Sequence, residues 1–361
     1  MTRIVVLCDG TWNSPKLAEP THVVKLRDAL VNQAARDQLV AYFPGVGTER
    51  EFDGPVQRFL NKWGGGAFGW GLDGKVKRAY QFIAEAHKFT ENPEIYLFGF
   101  SRGAYTARSV AGMIRKCGIV EDTSPESINA AFKLYRKRGK RNHPDADHIR
   151  EERVRMSPRY ATSKKEVEAR GRDVPIVDIA YMGVWDTVGA RGIPVAVLGP
   201  VAALWNLRYR FHDMVLSSLV RSARHAVALD ETRKFYRPAL WNNLDGAEGL
   251  NEGRTGPLRP YQQLWFVGHH GTVGGSSSEQ PLAALAQDWV FRGAGRLALL
   301  EEDALPTCDP DPLCPYERPD GLFFRAWRDG PDSRDQLHAS VEQRLAGDPA
   351  YRPGSLENLD Q

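Results

Sequence analysis

The junction at residues 94–108, EIYLFGFSRGAYTAR, constrains this chain more than any other stretch. An apolar run enters a Gly-x-Ser-x-Gly pentapeptide centred on Ser101. The residues after it set Ala104, Ala107, Ala111 and Ile114 along one face of a helix. Taken alone, the pentapeptide fits a glycine-softened turn as well as a nucleophile held on a strained elbow. Its surroundings have to separate the two. Residues 3–10 and 39–48 also read as buried strands closed by glycine, with helical spacing in HVVKLRDALVNQA between them. KVKRAYQFIAEAHKF then reads as a helix directly before EIYLFGF. Strands without polar alternation, alternating with helices, predict an α/β fold: a mostly parallel sheet with helices on both faces.

Past the helix that follows Ser101 the alternation breaks. Residues 121–172 are polar and charged with helical stretches, and predict a cap-like insertion bordering the active-site edge of the sheet. Strand character returns at residues 174–189 and again from residue 262, where LWFVG leads into His269 and His270. Between them lies IPVAVLGPVAALW, residues 193–205, apolar but interrupted by Pro194, Gly199 and Pro200. The Gly-rich stretch 64–74 contains a nominal G-x-x-x-x-G without the Lys-Ser/Thr of a phosphate loop, and reads as a connector.

Composition removes several function classes. A net charge of +3 announces no nucleic-acid partner. The four cysteines are too few and scattered for a disulfide framework, and Cys308 and Cys314 lack zinc-site spacing, so no metal or other cofactor is expected. The first residues, MTRIVVLCDGTW, read as an immediate strand rather than a signal peptide, and no apolar stretch is long enough to span a bilayer. The expectation is a protein cytoplasmic as synthesised, with export open only to a machine that needs no N-terminal signal.

A serine hydroxyl becomes a nucleophile when a base takes its proton, and the base needs a third group to orient it. In the strand–elbow–helix arrangement the acid and then the histidine follow the serine in chain order, each after a later strand. Asp186 directly follows DIAYMGVW, and His269 and His270 follow LWFVG. Asp178 lies inside the strand pattern, and Asp230 is expected to follow a helix, so both rank below Asp186. His225 reads as a buried hydrogen-bonding residue, and His22, His87, His143, His148, His212 and His338 as surface or packing residues. An oxyanion hole would combine the amide of Arg102 with the loop CDGTWN, through Gly10 and Thr11. Asp9 is expected to pin that loop by accepting backbone N–H groups.

The pieces CDGTWN, YFPGVGT, GFSRGAYTAR, GVWDTVGA, RHAVALDETR, WFVGHHGTVGG and the closing LHASVEQRL…YRP come in the order of one family. The chain resembles the α/β-hydrolase catalytic domain of type VI secretion phospholipase effectors. The resemblance implies a single α/β-hydrolase domain over residues 1–353, with a short tail at 354–361. It implies Ser101 as nucleophile, Asp186 as acid and His270 as base, with His269 at a variable position. It also implies lipid ester hydrolysis and a secretion-machinery or immunity partner. One position departs from the family pattern, since an Asp expected after the histidine is Thr272.

Two segments bear on the substrate. The apolar loop at 191–208, through Val197, Leu198 and Trp205, would wall an acyl chain or pack into the core. The basic run RKRGKR, residues 136–141, would face anionic lipid in a peripheral membrane contact or be a solvated helix end. Three readings stay open: a serine esterase acting on lipid or phospholipid, the same chemistry on a soluble ester, and a catalytically silent hydrolase fold used for binding.

Overall fold

The computed structural model describes residues 2–10, 18–30, 37–45, 67–189, 215–295, 308–316 and 326–359. Six strands form one sheet: β1 (Arg3–Cys8), β2 (Gln38–Phe43), β3 (Glu94–Phe100), β4 (Asp178–Trp185), β5 (Ala223–Ala228) and β6 (Tyr261–Phe266). Their order is β2-β1-β3-β4-β5-β6, and every neighbouring pair is parallel. The strand C-terminal ends therefore all open on one edge. This is the α/β-hydrolase arrangement.

Period-2 alternation explains how the strands bury both faces. Ile4 and Val6 of β1, with Ile95 and Leu97 of β3, join a core under α2 (Ala67–Phe89) and α3 (Arg102–Cys117). Val5, Leu7, Tyr96, Phe98 and Phe100 point the other way, towards α1 (His22–Ala29) and the later helix over Gln280–Arg292. All seven residues of β3 are buried. A third cluster sits at the β6 edge, where Val227, Leu229, Trp265 and Val267 meet Leu337, Val341, Tyr351 and Leu356. The His338 N–H donates to Trp265 O at 2.9 Å, so the C-terminal segment packs along this edge as part of the same body.

Residues 223–228 correct the expectation of a helix ahead of Asp230. The run ARHAVA is β5. Its alanines favour a helix intrinsically, and pairing on both sides with β4 and β6 overrides that preference.

The insertion is helical as expected, with α4 (Pro125–Arg136), α5 (Asp147–Met156) and α6 (Lys164–Arg170). Its position differs from the expectation. Its bonds to α3 fall on the last turn: Arg153 reaches the carbonyls of Arg115 and Lys116, and Cys117 Sγ donates to Ala131 O. Ser101 sits at the other end of α3, which at 16 residues is about 24 Å long. Arg153 and Arg170 clasp the fully buried Glu166 at 2.9 Å and 2.5 Å and so fasten the insertion to itself. The polarity of this segment thus serves internal charge pairing rather than a cap over the sheet edge. In the basic run, Arg136 pairs with Asp73 at 3.2 Å and Lys137 with Glu152 at 3.3 Å, while Lys140 and Arg141 are exposed.

The two glycines of the pentapeptide are set by contact distance. A Cβ on Gly99 would lie 2.6 Å from Ala104 Cα, and one on Gly103 would strike Cys8 O and come within 2.6 Å of Asp9 O. Helix α3 can start above β3 and touch the end of β1 only because those side chains are missing. Gly103→Ala is therefore expected to destabilise the fold by about 1–3 kcal/mol, the cost of forced overpacking. Urea denaturation of the variant measures it, and an unchanged midpoint would contradict the tight approach.

Candidate active site

Ser101 and Asp186 extend adjacent strands by one residue each. The Ser101 N–H donates to Trp185 O at 3.0 Å, and the Asp186 N–H donates to Ala226 O at 2.7 Å. Both residues then leave the sheet with positive φ, +57° at Ser101 and +36° at Asp186. Such backbone costs on the order of 1–3 kcal/mol and persists where the surroundings over-determine it. At Ser101 the turn lifts the hydroxyl off the strand axis at the start of α3.

His270 comes from the far side of β5, at the start of the short helix α7 (His270–Gly274) after β6. The loop after β5 places it. Asp230 accepts the Gly268 N–H at 2.6 Å, and the Asp230 N–H returns a bond to Gly268 O at 3.1 Å. Glu231 accepts the His270 N–H at 3.1 Å. The imidazole lies between the rings of Phe100 and Tyr236, with centroids 4.7 Å and 4.5 Å away. A Cβ on Gly274 would collide with Phe100, so this glycine lets α7 close on β3.

A continuous hydrogen-bonded chain results. His270 Nε2 is 2.9 Å from Ser101 Oγ, and His270 Nδ1 is 2.5 Å from Asp186 Oδ2. An ionised carboxylate only accepts, so the proton belongs on Nδ1 and leaves Nε2 to accept from the serine. Asp186 is fully buried, and Ser101 and His270 nearly so.

The buried carboxylate is compensated by a residue the sequence did not single out. Arg328 donates through Nη1 to Asp186 Oδ1 at 2.6 Å and through Nη2 to Oδ2 at 2.8 Å. It also donates to the carbonyls of Ala228, at 2.7 Å, and Tyr236. The Ala228 N–H adds a further bond to Asp186 Oδ1 at 2.9 Å. Burial alone would raise the pKa of Asp186, but the charge and bonds of Arg328, with the bond from His270, hold it well below the usual carboxylate range. Burial lowers the pKa of His270 below its ordinary value, against the pull of Asp186. Burial would raise Glu231 too, but bonds from Arg233 bring it down to about 2.

The other expected residues divide clearly. His225 is buried, accepts the Thr187 N–H on Nε2 at 3.1 Å, and has Nδ1 2.9 Å from Gln263 Oε1. With its pKa lowered to about 3 by burial, it is a neutral brace beneath the turn at Asp186. Asp178 pairs with Arg221 at 2.8 Å where β4 begins, at the other end of that strand. Asp230 does follow a strand, yet it serves Gly268 and the Tyr351 hydroxyl, at 2.9 Å, rather than an imidazole. His22 and His87 are buried packing residues, and His143 and His148 lie exposed or nearly so.

At the oxyanion loop, Asp9 accepts from Gly10 N–H at 2.7 Å, from the Thr21 hydroxyl at 3.0 Å and from the Tyr42 hydroxyl at 2.9 Å. Burial pushes Asp9 up to about 6. The Gly10 amide is thus taken by its neighbour's carboxylate, which corrects its assignment as a donor to substrate and turns it into a loop anchor. Thr11, Val197, Leu198, Trp205 and His212 lie outside the described residues. Thr272 is fully buried, and its hydroxyl has no hydrogen-bond partner among the described residues. No group of three or more metal-ligating side chains occurs among the described residues.

The family model described as "T6SS, Phospholipase effector Tle1-like, catalytic domain" matches residues 2–293. The chain belongs to this family. An uncharacterised protein of Saccharomyces cerevisiae, YEL023C, is 29% identical over 238 residues, 63% of this chain and 31% of the relative. An uncharacterised protein from Pseudomonas aeruginosa aligns in structure over 83% of this chain and 47% of its own, with TM-score 0.42 and 17% identity. The structure of the Tle1 effector bound to the VgrG spike aligns over 76% and 51%, with TM-score 0.39 and 16% identity. The chain spans about a third of the curated yeast relative and about half of these solved chains. Arg328 and Tyr351 lie beyond the stretch matched by the Tle1-like model.

Glu231 and Arg328 had different visibility. Glu231 is part of RHAVALDETR, and its place next to Asp230 was a usable signal. Arg328 sits in a Pro- and Asp-rich stretch with no local pattern. The loop geometry yields a stability prediction. Asp230→Ala leaves the Gly268 N–H and the Tyr351 hydroxyl without their charged acceptor, and should cost about 3 kcal/mol. Tyr351→Phe removes one donor and should cost about 1 kcal/mol. Chemical denaturation of both variants checks the ranking.

Proposed function

We propose that this chain is a serine hydrolase that cleaves carboxylic esters of lipids, phospholipids foremost, through an acyl-enzyme. The observation that carries the reading is the unbroken path from Ser101 Oγ through the His270 ring to Asp186, at 2.9 Å and 2.5 Å. In the first half-reaction Ser101 Oγ attacks the acyl carbon as its proton passes to His270 Nε2. Asp186 does not take a proton; it stabilises the imidazolium and fixes the tautomer. The tetrahedral oxyanion faces the amide of Arg102 at the start of α3, where the helix dipole favours negative charge. Collapse breaks the ester bond, and the imidazolium gives its proton to the departing alkoxide. Water then attacks the acyl-serine through the same base, releases the fatty acid and restores Ser101.

Membership of a phospholipase effector family supports a lipid as the acyl donor. In this reading residues 193–205, with Val197, Leu198 and Trp205, supply the acyl wall, and residues 1–353 act as one domain. A component of a secretion machine is the partner class that goes with the family. The half-engaged basic run at 136–141 has the bland role of a helix end, with Lys140 and Arg141 left to touch anionic lipid.

Ser101→Ala should abolish labelling by a fluorophosphonate probe and lower fatty-acid release from phospholipid vesicles by at least about 10³-fold. Undiminished labelling would remove Ser101 from the mechanism. Equal turnover of a short soluble ester and a long-chain phospholipid would instead leave a general esterase.

His270→Ala should be far more damaging than His269→Ala. His269 only caps α7, its Nδ1 accepting the Gly271 N–H at 3.0 Å. Losing that cap costs about 1 kcal/mol of stability and leaves the base in place. Equal losses of activity would show that the wrong histidine had been chosen. The base must be neutral to accept a proton, and burial lowers its pKa. The acid limb of kcat/KM is therefore expected below about pH 6.5, the ordinary histidine value. A limb above that value would contradict the buried dyad.

A further inference from the structure

Asp186 has two side-chain partners on its carboxylate, the imidazole it orients and the guanidinium of Arg328. The guanidinium is not held by Asp186 alone. Its Nη1 also donates to Ala228 O at 2.7 Å and its Nη2 to Tyr236 O, so backbone fixes its plane. The segment carrying it is tied to the same β5–β6 loop that positions His270. Ala326 N–H donates to Thr232 O at 2.8 Å, Tyr351 to Asp230 at 2.9 Å, and the Ser355 hydroxyl to Leu229 O at 2.9 Å.

We infer that Arg328 is a positioning residue for the proposed hydrolysis, aiming the Asp186 carboxylate at His270 and weakening the hold of the Asp186–His270 pair on its proton. The inference rests on the proposed hydrolase reading and adds to it a contribution from residues beyond the matched family domain. The acid limb reports uptake of a second proton at His270 Nε2, and a fixed cation beside the carboxylate disfavours that added positive charge on the pair. Removing the cation must raise the pair's proton affinity. Other charges around the pair are already paired or lack contact with Asp186. Glu231 is clasped by Arg233 at 2.7 Å, and His225 is neutral beneath the turn. His269 and Glu279 lie on the α7 side, and Tyr236 stacks on the imidazole and lies close to Arg102. Arg328 is the cation bonded directly to both Asp186 oxygens.

The test compares Arg328→Gln with Arg328→Lys in the full chain. Gln should move the acid limb of kcat/KM upward by about one pH unit or more, the shift expected from losing an adjacent charge. Well on the acid side of the limb, activity should fall about tenfold for each unit of that shift. Lys keeps the charge and should keep the limb, even if the lost fork lowers kcat. The downfield proton resonance of His270 Nδ1–H should titrate with the same shifts, a readout independent of turnover.

A purely structural Arg328 would lower activity at every pH without moving the limb or the resonance, and that result would overturn the inference. So would a Lys variant displaced as far as Gln. If Arg328→Gln unfolds, the Arg328→Met and Asp186→Asn double variant decides. It should regain the denaturation midpoint that Arg328→Met loses, because the stranded buried charge is gone. No recovery would assign Arg328 to its two carbonyl contacts alone. Should Ser101 fail to label in the unmodified protein, the hydrolase reading falls while the resonance and the midpoint still judge Arg328.

Discussion

A carboxylate buried without contact to water dominates this structure. Asp186 is fully enclosed, and an uncompensated charge there would cost several kcal/mol, roughly the stability of a domain. Its compensation draws in the rest of the molecule: the Ala228 amide beyond β5, the His270 ring after β6, and Arg328 from the C-terminal segment. The four donors saturate both oxygens and define one orientation of the group. The packing of residues 326–356 on the sheet edge is therefore part of the site's electrostatics.

Positional accuracy comes from the sheet. Ser101 and Asp186 continue the ladder of their neighbours by one hydrogen bond each before turning away at positive φ. Parallel strands that end on one edge bring their C-terminal residues together, so a hydroxyl after β3 and a carboxylate after β4 start out adjacent. The imidazole has to cross β5 to reach them. The acidic pair Asp230 and Glu231 holds its loop by three backbone bonds, and two aromatic rings fix the plane of the imidazole.

Much of this was legible from residues in order. Unbroken apolar strands alternating with helices gave a parallel sheet, and the chain order Ser101, Asp186, His270, each after a strand, matched what the geometry brings together. The pentapeptide's glycines marked a sharp turn in the sequence, and a Cβ at Gly99 or Gly103 would strike backbone. Asp9 was expected to hold its loop through backbone N–H groups, and it does hold Gly10. That same bond took Gly10 out of the set of donors left for substrate, which no pattern could reveal.

Local order determined what local order can encode: strand and helix periods, the sharp elbow at Ser101, and a pair of histidines after a strand, between which the family resemblance chose. Tertiary structure decided whatever depends on partners distant in sequence. The run ARHAVA became a strand because two strands flank it, and the charged insertion turned inward on Glu166 at the far end of α3 from Ser101. Arg328 met Asp186 across 142 positions. No periodicity marks such a residue, because a buried charge specifies the sign of its partner and not the place in the chain from which that partner comes.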